Sequence, residues 1–152
     1  MDTEANQLDP EKIARIGDLC MCANLRRASR MVTAIYDTYL QPSGLLATQF
    51  ILLASLGAQP SIALTPLAEK LGMDPTTLAR NLKPLERDGL VEIFAGTDRR
   101  VRVLRLTDQG TAALRRALPL WEQAQAAVIR QVGEDRARLM LADWADLSSL
   151  AG

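Results

Sequence analysis

The feature that most constrains the fold is a stretch in which helix breakers bound two consecutive short helices. A predicted helix begins at Thr65-Pro66 and ends at Gly72, and a second begins at Asp74-Pro75 and closes at Gly89. Because only a tight turn with a glycine separates them, the pair predicts a helix-turn-helix.

After Gly89 the hydrophobic pattern changes from helical spacing to strand-like alternation. Two runs rich in β-branched and apolar residues, 90–94 and 101–106, flank a charged turn over residues 95–100. This pattern predicts a β-hairpin whose tip, Asp98-Arg99-Arg100, is basic. The whole order predicts a mainly helical chain with a small β-hairpin wing, which is a winged helix-turn-helix.

The second short helix has two chemically different faces. At 100° per residue, Leu78, Leu82 and Leu85 share one face, which predicts packing against a core. The other side carries hydroxyls, an amide and cations, the groups that contact DNA bases and phosphates. We expect base contacts from Thr76, Thr77, Arg80 and Asn81, and phosphate contacts from Lys83 and Arg87. The alternative is an ordinary solvated face.

The predicted wing adds a second cationic element to this helix. An arginine at a hairpin tip can enter the narrow minor groove, which predicts that role for Arg100. Asp98 lies two positions earlier and can orient the Arg100 guanidinium. We expect Arg99 and Arg102 to hold phosphates, and the alternative here is an ordinary charged turn.

Composition excludes a generally basic nucleic-acid coat. The 152 residues are 48% hydrophobic, and 18 Lys+Arg balance 18 Asp+Glu. These values predict one globular domain of zero net charge. Any DNA surface must therefore arise from local charge segregation, and residues 76–105 carry seven basic and four acidic side chains.

The absence of histidine and the scarcity of cysteine argue against an enzyme. The chain has no His and two Cys, so it lacks histidine-based catalytic arrangements and histidine metal ligands. We expect no catalytic residue, no cofactor and no metal site. The polar start, Met1–Glu4, is unlike a secretory signal, and the apolar stretch Phe50–Ala58 is too short to span a bilayer. A cytoplasmic protein without membrane contact is expected.

Long helices are predicted on both sides of the winged segment. The first runs from Asp9-Pro10 to about Thr38, and the others cover 108–131 and 134–150. They carry more apolar surface than a small winged helix can cover, which favours a homodimer. The apolar residues concerned are Leu114, Leu118, Trp121, Val128, Val132, Leu139, Met140, Trp144 and Leu147. The alternative is packing within one subunit.

Taken together, these motifs resemble the MarR family of transcriptional regulators over nearly the whole chain. The resemblance is carried by Leu67–Leu71, Thr76–Arg80, Leu85–Val91, Asp98–Arg100 and Leu106–Gly110. It implies a single MarR-like domain over 1–152, with dimerisation helices in 1–46 and 108–152 and a DNA-binding lobe in 47–107. It also implies a homodimer on a pseudo-palindromic operator, usually a repressor released by a small ligand or by oxidation.

The cysteines raise the question of the signal. On one undistorted helix, Cys20 and Cys22 would point about 200° apart and could not be bridged. In Ala28-Ser29-Arg30, Tyr36 and Gln49 the chain also resembles the hydroperoxide-sensing branch of the family. An ungapped comparison places Cys22 at the sensing position and Tyr36 at a thiol-binding tyrosine. Arg26 replaces the second tyrosine and can stabilise a thiolate one turn after Cys22.

Two readings compete with thiol sensing. Either or both cysteines can be small apolar residues in a core. Alternatively, the signal is a small aromatic or apolar effector near Arg26, Arg30, Tyr36 or Tyr39.

Two other functions remain as rivals to DNA-dependent regulation. One is a winged-helix module that binds protein and not DNA, which the outward cations disfavour. The other is an enzyme, for which the usual residues are missing. Pro84 is a separate anomaly, because it deletes a backbone hydrogen bond to Arg80 within the helix proposed to contact bases.

Overall fold

The computed structural model of the protein describes residues 8–149. The polar start at Met1–Glu4 and Leu150 at the end of the last predicted helix lie outside the described residues. The chain divides after Ala34 into two compact units.

The first unit holds helix α1, Pro10–Leu19, and most of helix α2, Met21–Leu40. Asp9 begins α1 as predicted, since its carboxylate accepts the N–H groups of Glu11 at 3.0 Å and Lys12 at 3.2 Å. The prediction of one helix to about Thr38 is wrong, because Cys20 is extended at φ −70° and ψ 109°.

The side chain of Asn24 explains the break at Cys20. Its amide donates to the carbonyls of Gly17, Asp18 and Cys20 at 3.3, 3.1 and 3.0 Å. The Gly17 and Asp18 carbonyls lie in the last turn of α1, where helical partners run out, whereas the Cys20 carbonyl also accepts the Asn24 backbone N–H at 3.0 Å and so begins α2. The amide therefore stabilises a helix end that no proline or positive-φ glycine marks.

The second unit contains the remaining helices. A 3-10 turn at Gln41–Ser43 ends in Gly44 with φ 76°. It is followed by α3, Ala47–Gly57, α4, Leu64–Lys70, α5, Pro75–Arg87, α6, Asp108–Val132, and α7, Glu134–Ser149. For α4 to α7 the predicted and observed ends agree closely, although α4 begins at Leu64, ahead of its proline.

A small antiparallel sheet joins these helices. Strands β1, Ile62–Ala63, β2, Val91–Ala95, and β3, Arg102–Leu106, lie in the order β1-β3-β2. Leu104 pairs with Ile93 on one side and with Ile62 on the other. The predicted hairpin of β2 and β3 is confirmed, and β1 adds a third strand that was not predicted.

The core of the second unit is built mainly from leucines. The largest fully buried side chains are Leu40, Leu53, Leu56, Leu67, Leu78, Leu82, Leu85 and Leu104. Leu114 and Trp121 pack against this core, and the Trp121 ring stacks on Phe50 with centroids 6.0 Å apart. Part of the surface of these two half-buried residues is thus covered within one chain, and their proposed contact with a partner stays a prediction.

The helices were also compared with the length and hydropathy of a membrane span. Within residues 8–149 no single helix meets both requirements, and one pair, Met21–Ser43 with Ala47–Gly57, meets them only when joined across a 73° bend.

Candidate nucleic-acid interface

Helices α4 and α5 form the predicted helix-turn-helix. Gly72 takes φ 62° after α4, and the N–H of Met73 donates to the carbonyl of Ala68 at 2.9 Å. The positive φ explains the glycine, since other residues rarely adopt it. The turn brings Asp74 directly to the start of α5.

Asp74 fixes both the start of α5 and the hydroxyl of Thr77. Its carboxylate accepts the Thr77 N–H at 2.9 Å and the Thr77 hydroxyl at 2.5 Å. These hydrogen bonds, led by the hydroxyl, lower the pKa of Asp74. Because the Thr77 hydroxyl donates its only proton to Asp74, it can act towards a ligand only as a hydrogen-bond acceptor.

The two predicted faces of α5 are confirmed by burial. Leu78, Leu82 and Leu85 are fully buried. On the other side, Thr77 is half-buried. The remaining residues predicted to contact DNA are exposed, namely Thr76, Arg80, Asn81, Lys83 and Arg87. The helix therefore holds its polar face on a rigid leucine-packed support.

The end of α5 differs in two respects from a simple cationic helix. The helix continues through Pro84 to Arg87, although proline cannot donate to the Arg80 carbonyl. Arg87 pairs with Asp88, with Nε 3.0 Å from the carboxylate, and this hydrogen bond raises the pKa of Arg87. Part of its charge is thus already balanced within the protein.

The wing consists of β2, β3 and the turn over residues 96–101. Gly96 N–H donates to the Val101 carbonyl at 2.8 Å, and Asp98 accepts the backbone N–H of Arg100 at 3.0 Å. The prediction that Asp98 orients the Arg100 guanidinium is therefore replaced by a backbone role. Arg99, Arg100 and Arg102 are exposed.

Arg105 is the wing cation whose role the sequence did not indicate. It lies opposite Glu92 in the β2–β3 register and contacts its carboxylate at 2.7 and 2.8 Å. Its guanidinium carbon also lies 5.3 Å from the centre of the Phe94 ring. This charge is held on the outer face of the sheet, which distinguishes Arg105 from the arginines of the tip.

The cysteine region corrects one geometric argument. Cys20 lies between α1 and α2 and not within a helix, so the 200° separation from Cys22 does not apply. Cys20 is half-buried beside Lys12, Ile16 and Leu19, whereas Cys22 is exposed.

The other residues considered for signal sensing have varied surroundings. Tyr36 is half-buried, its hydroxyl donates to Gln125, and burial raises its pKa. Arg26 and Arg30 are exposed and line a shallow groove with Leu25 and Ser29, and Tyr39 is half-buried. Within residues 8–149 there is no cluster of three or more Cys, Asp or Glu side chains suited to a metal ion.

Comparison with known proteins points to one family. The sequence model of the MarR family matches residues 45–101. The DNA complex of the M. tuberculosis transcriptional regulator MosR is 43% identical, with a TM-score of 0.79, over 87% of this chain and 96% of that one. No curated protein sequence matches the chain.

Two further solved structures share the fold. The transcriptional repressor CouR bound to a 23-mer DNA duplex is 28% identical, with a TM-score of 0.77, over 93% of this chain and 99% of that one. PcaV from Streptomyces coelicolor, in complex with its natural ligand, is 21% identical, with a TM-score of 0.79, over 90% and 96%. These similarities confirm the predicted winged-helix fold.

Proposed function

This chain belongs to the MarR family of DNA-binding transcriptional regulators, and from that premise we propose that it is a repressor that binds a pseudo-palindromic operator as a homodimer. Members of the family regulate transcription and are not enzymes, so the prediction of a non-enzyme is confirmed. We further propose that it works in the cytoplasm and without membrane contact.

The observation that carries this proposal is the exposed polar face of α5 opposite three fully buried leucines. Thr76, Thr77, Arg80 and Asn81 contact bases in the major groove, where Arg pairs well with guanine and Asn with adenine. Lys83 and Arg87 hold phosphates. The Asp88 partner of Arg87 weakens that contact, so Lys83 is the stronger phosphate ligand of the two.

In this proposal the wing supplies the minor-groove contact. Arg100 inserts into the groove, Arg99 and Arg102 hold flanking phosphates, and Asp98 shapes the turn through its bond to the Arg100 backbone. Arg105 stays on Glu92 and stabilises the sheet. The supporting observation is the exposure of Arg99, Arg100 and Arg102.

The homodimer is proposed to form through the helices in 1–46 and 108–152. Large apolar side chains in both segments are solvent-exposed in the single chain, including Ile16 at 56%, Leu139 at 62% and Trp144 at 41%. Apolar patches of this kind are typical of obligate interfaces. A two-fold dimer places two α5 helices on one face of DNA, about one turn apart.

Two signals are compatible with such a repressor. In the first, an organic hydroperoxide oxidises Cys22, which is exposed. The thiolate attacks the peroxide oxygen, an S–O bond forms and the O–O bond breaks. Sulfur loses two electrons to give a sulfenic acid, and the alcohol leaves with a proton. Arg26 lies one helical turn after Cys22 on α2, and half-buried Cys20 is the secondary thiol. The Tyr36 hydroxyl donates to Gln125, so it must break this hydrogen bond before it can donate to the thiolate.

The second signal is a small aromatic or apolar effector near Arg26, Arg30, Tyr36 or Tyr39. It is supported by the ligand complex of PcaV, which shares the fold.

A DNA titration tests the proposed function and separates the two signals. Reduced protein is titrated by fluorescence anisotropy against DNA upstream of its own gene, with excess competitor DNA, before and after one equivalent of cumene hydroperoxide. Salt-sensitive binding that oxidation abolishes and thiol restores supports a redox-sensing repressor, and a Cys22→Ser variant must lose that response. Binding indifferent to oxidation turns the search to the small effector. Binding that shows neither sequence preference nor salt dependence contradicts the proposal and favours a protein-binding winged helix.

A further inference from the structure

The first turn of α6 contacts the chain just beyond the recognition helix α5. This turn carries the motif Thr107–Gly110, which the proposed DNA contacts leave without a role. Its partners are Gly89 and Leu90, which connect α5 to β2. We call the contacts of Thr107 and Gly110 with Gly89 and Leu90 the α5–α6 joint.

The end of α5 leaves two carbonyls for this joint. Gly89 has φ 71°, its N–H donates to Glu86 at 3.0 Å, and the Leu90 N–H donates to Leu85 at 2.9 Å. This is a Schellman ending, in which both N–H groups are used to close the helix. The carbonyls of Gly89 and Leu90 then require donors from elsewhere.

Thr107 supplies both donors. Its hydroxyl donates to the Gly89 carbonyl at 2.6 Å, and its backbone N–H donates to the Leu90 carbonyl at 3.2 Å. The same hydroxyl accepts the N–H of Gly110 at 2.9 Å and thereby caps α6. One residue thus begins α6 and holds the end of α5.

Gly110 makes the close approach possible. A Cβ at this position would lie 1.9 Å from the carbonyl oxygen of Leu90, a backbone atom that cannot rotate away. Gln109 adds a longer bond from its side-chain amide to the Asp88 carbonyl at 3.4 Å. Glycine is therefore required here by contact with the end of α5 and not by its own dihedral angles.

We propose that the α5–α6 joint is a positioning device, in which Thr107 and Gly110 set the orientation of α5 on α6 and so align its polar face with the bases. This inference rests on the proposed function, in which α5 contacts bases. Base contacts require a fixed geometry, whereas attraction to phosphates tolerates displacement. Loosening the joint should therefore weaken specific binding much more than non-specific binding.

A matched set of threonine variants tests the joint. Thr107→Val removes the hydroxyl but keeps the shape, and Thr107→Ser keeps the hydroxyl. Thr111→Val is the control, because the exposed Thr111 hydroxyl donates one turn back to the Thr107 carbonyl at 3.0 Å and not to Gly89 or Leu90. Gly110→Ala attacks the joint independently of any hydroxyl.

Dissociation constants are measured for a duplex that the wild-type protein selects from a random library, and for a scrambled duplex, well below each unfolding temperature. We expect Thr107→Val to weaken binding to the selected duplex by about fivefold and to the scrambled duplex by less than about twofold. Thr107→Ser and Thr111→Val should stay near wild type, and Gly110→Ala should lower the selected-to-scrambled ratio further. Equal losses on both duplexes, or unchanged binding by Thr107→Val, would overturn the inference.

Amide hydrogen exchange without DNA gives a second, independent readout. Exchange at residues 88–90 should accelerate in Thr107→Val but not in Thr111→Val, and unchanged exchange would also overturn the joint. A wild-type protein that does not distinguish the two duplexes would refute the proposed function and this inference with it. If the wild-type protein distinguishes the two duplexes and Thr107→Val distinguishes them equally well, the positioning role of the joint is refuted and the proposed function stands.

Discussion

The carboxylate of Asp98 engages the backbone of Arg100 at 3.0 Å and not its guanidinium. We therefore expect Arg100→Ala to weaken operator binding by more than about tenfold while the dimer stays intact. The matched control is Arg105→Ala, which removes the same charge from the same hairpin but at a side chain held by Glu92. Fluorescence anisotropy should show a much smaller effect for the control, and equal effects would remove the wing tip from the interface.

Arg80 and Lys83 separate base contacts from phosphate contacts on one helix. Arg80→Ala should change the preferred sequence, because a bidentate base contact is lost. Lys83→Ala should weaken binding to all sequences alike and flatten the salt dependence. Titrations of both variants on selected and random DNA at several salt concentrations measure this. A uniform loss from Arg80→Ala would contradict its proposed base contact.

Asp74 gives α5 a defined dependence on acid. Hydrogen bonds from Thr77 lower its pKa in the folded state, so it contributes stability above its unfolded-state pKa, which is about 3.8. That contribution is lost as the pH falls from about 4 through the lower folded-state value. Asp74→Asn can still accept hydrogen bonds but does not titrate. Between pH 5 and 3 the melting temperature should therefore decline less for the variant than for the wild type. Parallel declines would show that the Asp74 carboxylate does not cause the loss of stability in acid.

At the scale of the elements, helix α5 contains an internal proline that a substitution can remove. Pro84 cannot donate to the Arg80 carbonyl, yet the helix continues to Arg87. Pro84→Ala should restore this bond and stabilise the protein by up to about 3 kcal/mol. Chemical unfolding measures the gain. A loss of stability would show that packing of the proline ring stabilises the protein more than the restored hydrogen bond does. Operator affinity should change little, since residue 84 lies on the flank.

The helices and the hairpin could be predicted from the sequence because their determinants are local. Leucine spacing and positions of Gly and Pro are sufficient for α5, whose buried and exposed faces match the prediction. The break at Cys20 could not be predicted, since it depends on the Asn24 side chain reaching back to three carbonyls. Strand β1 was missed because two residues are too few to show alternation, and it forms by pairing with β3.

The parts of the candidate site that depend on local sequence could also be predicted, and those that depend on contacts between distant residues could not. The polar face of α5 and the tip arginines follow from periodicity and turn composition. The pairing of Arg105 with Glu92 depends on the strand register, and the α5–α6 joint depends on residues 18 positions apart in sequence. Neither feature can be predicted from the sequence, because each depends on the tertiary structure.

At the scale of the molecule, the exposed apolar residues of the terminal segments predict dimerisation. Trp144→Glu should yield a monomer and abolish tight operator binding, because an apolar interface excludes an unpaired charge. Ile51→Glu is the control, since Ile51 is 50% exposed on α3, outside the proposed dimerisation segments. Sedimentation equilibrium measures the assembly state. A dimeric Trp144→Glu protein would exclude this residue from the interface.

The most direct test of the account is a hydroxyl-radical footprint of the wild-type protein on the duplex it selects from a random library. Two recognition helices of a two-fold dimer predict two symmetric protected patches, centred about 10 base pairs apart on one face of the DNA. The wings predict additional protection in the flanking minor grooves, and Arg100→Ala should remove that flanking protection alone. A single asymmetric patch, or equal protection of a scrambled duplex, would contradict a dimeric, sequence-specific winged-helix regulator.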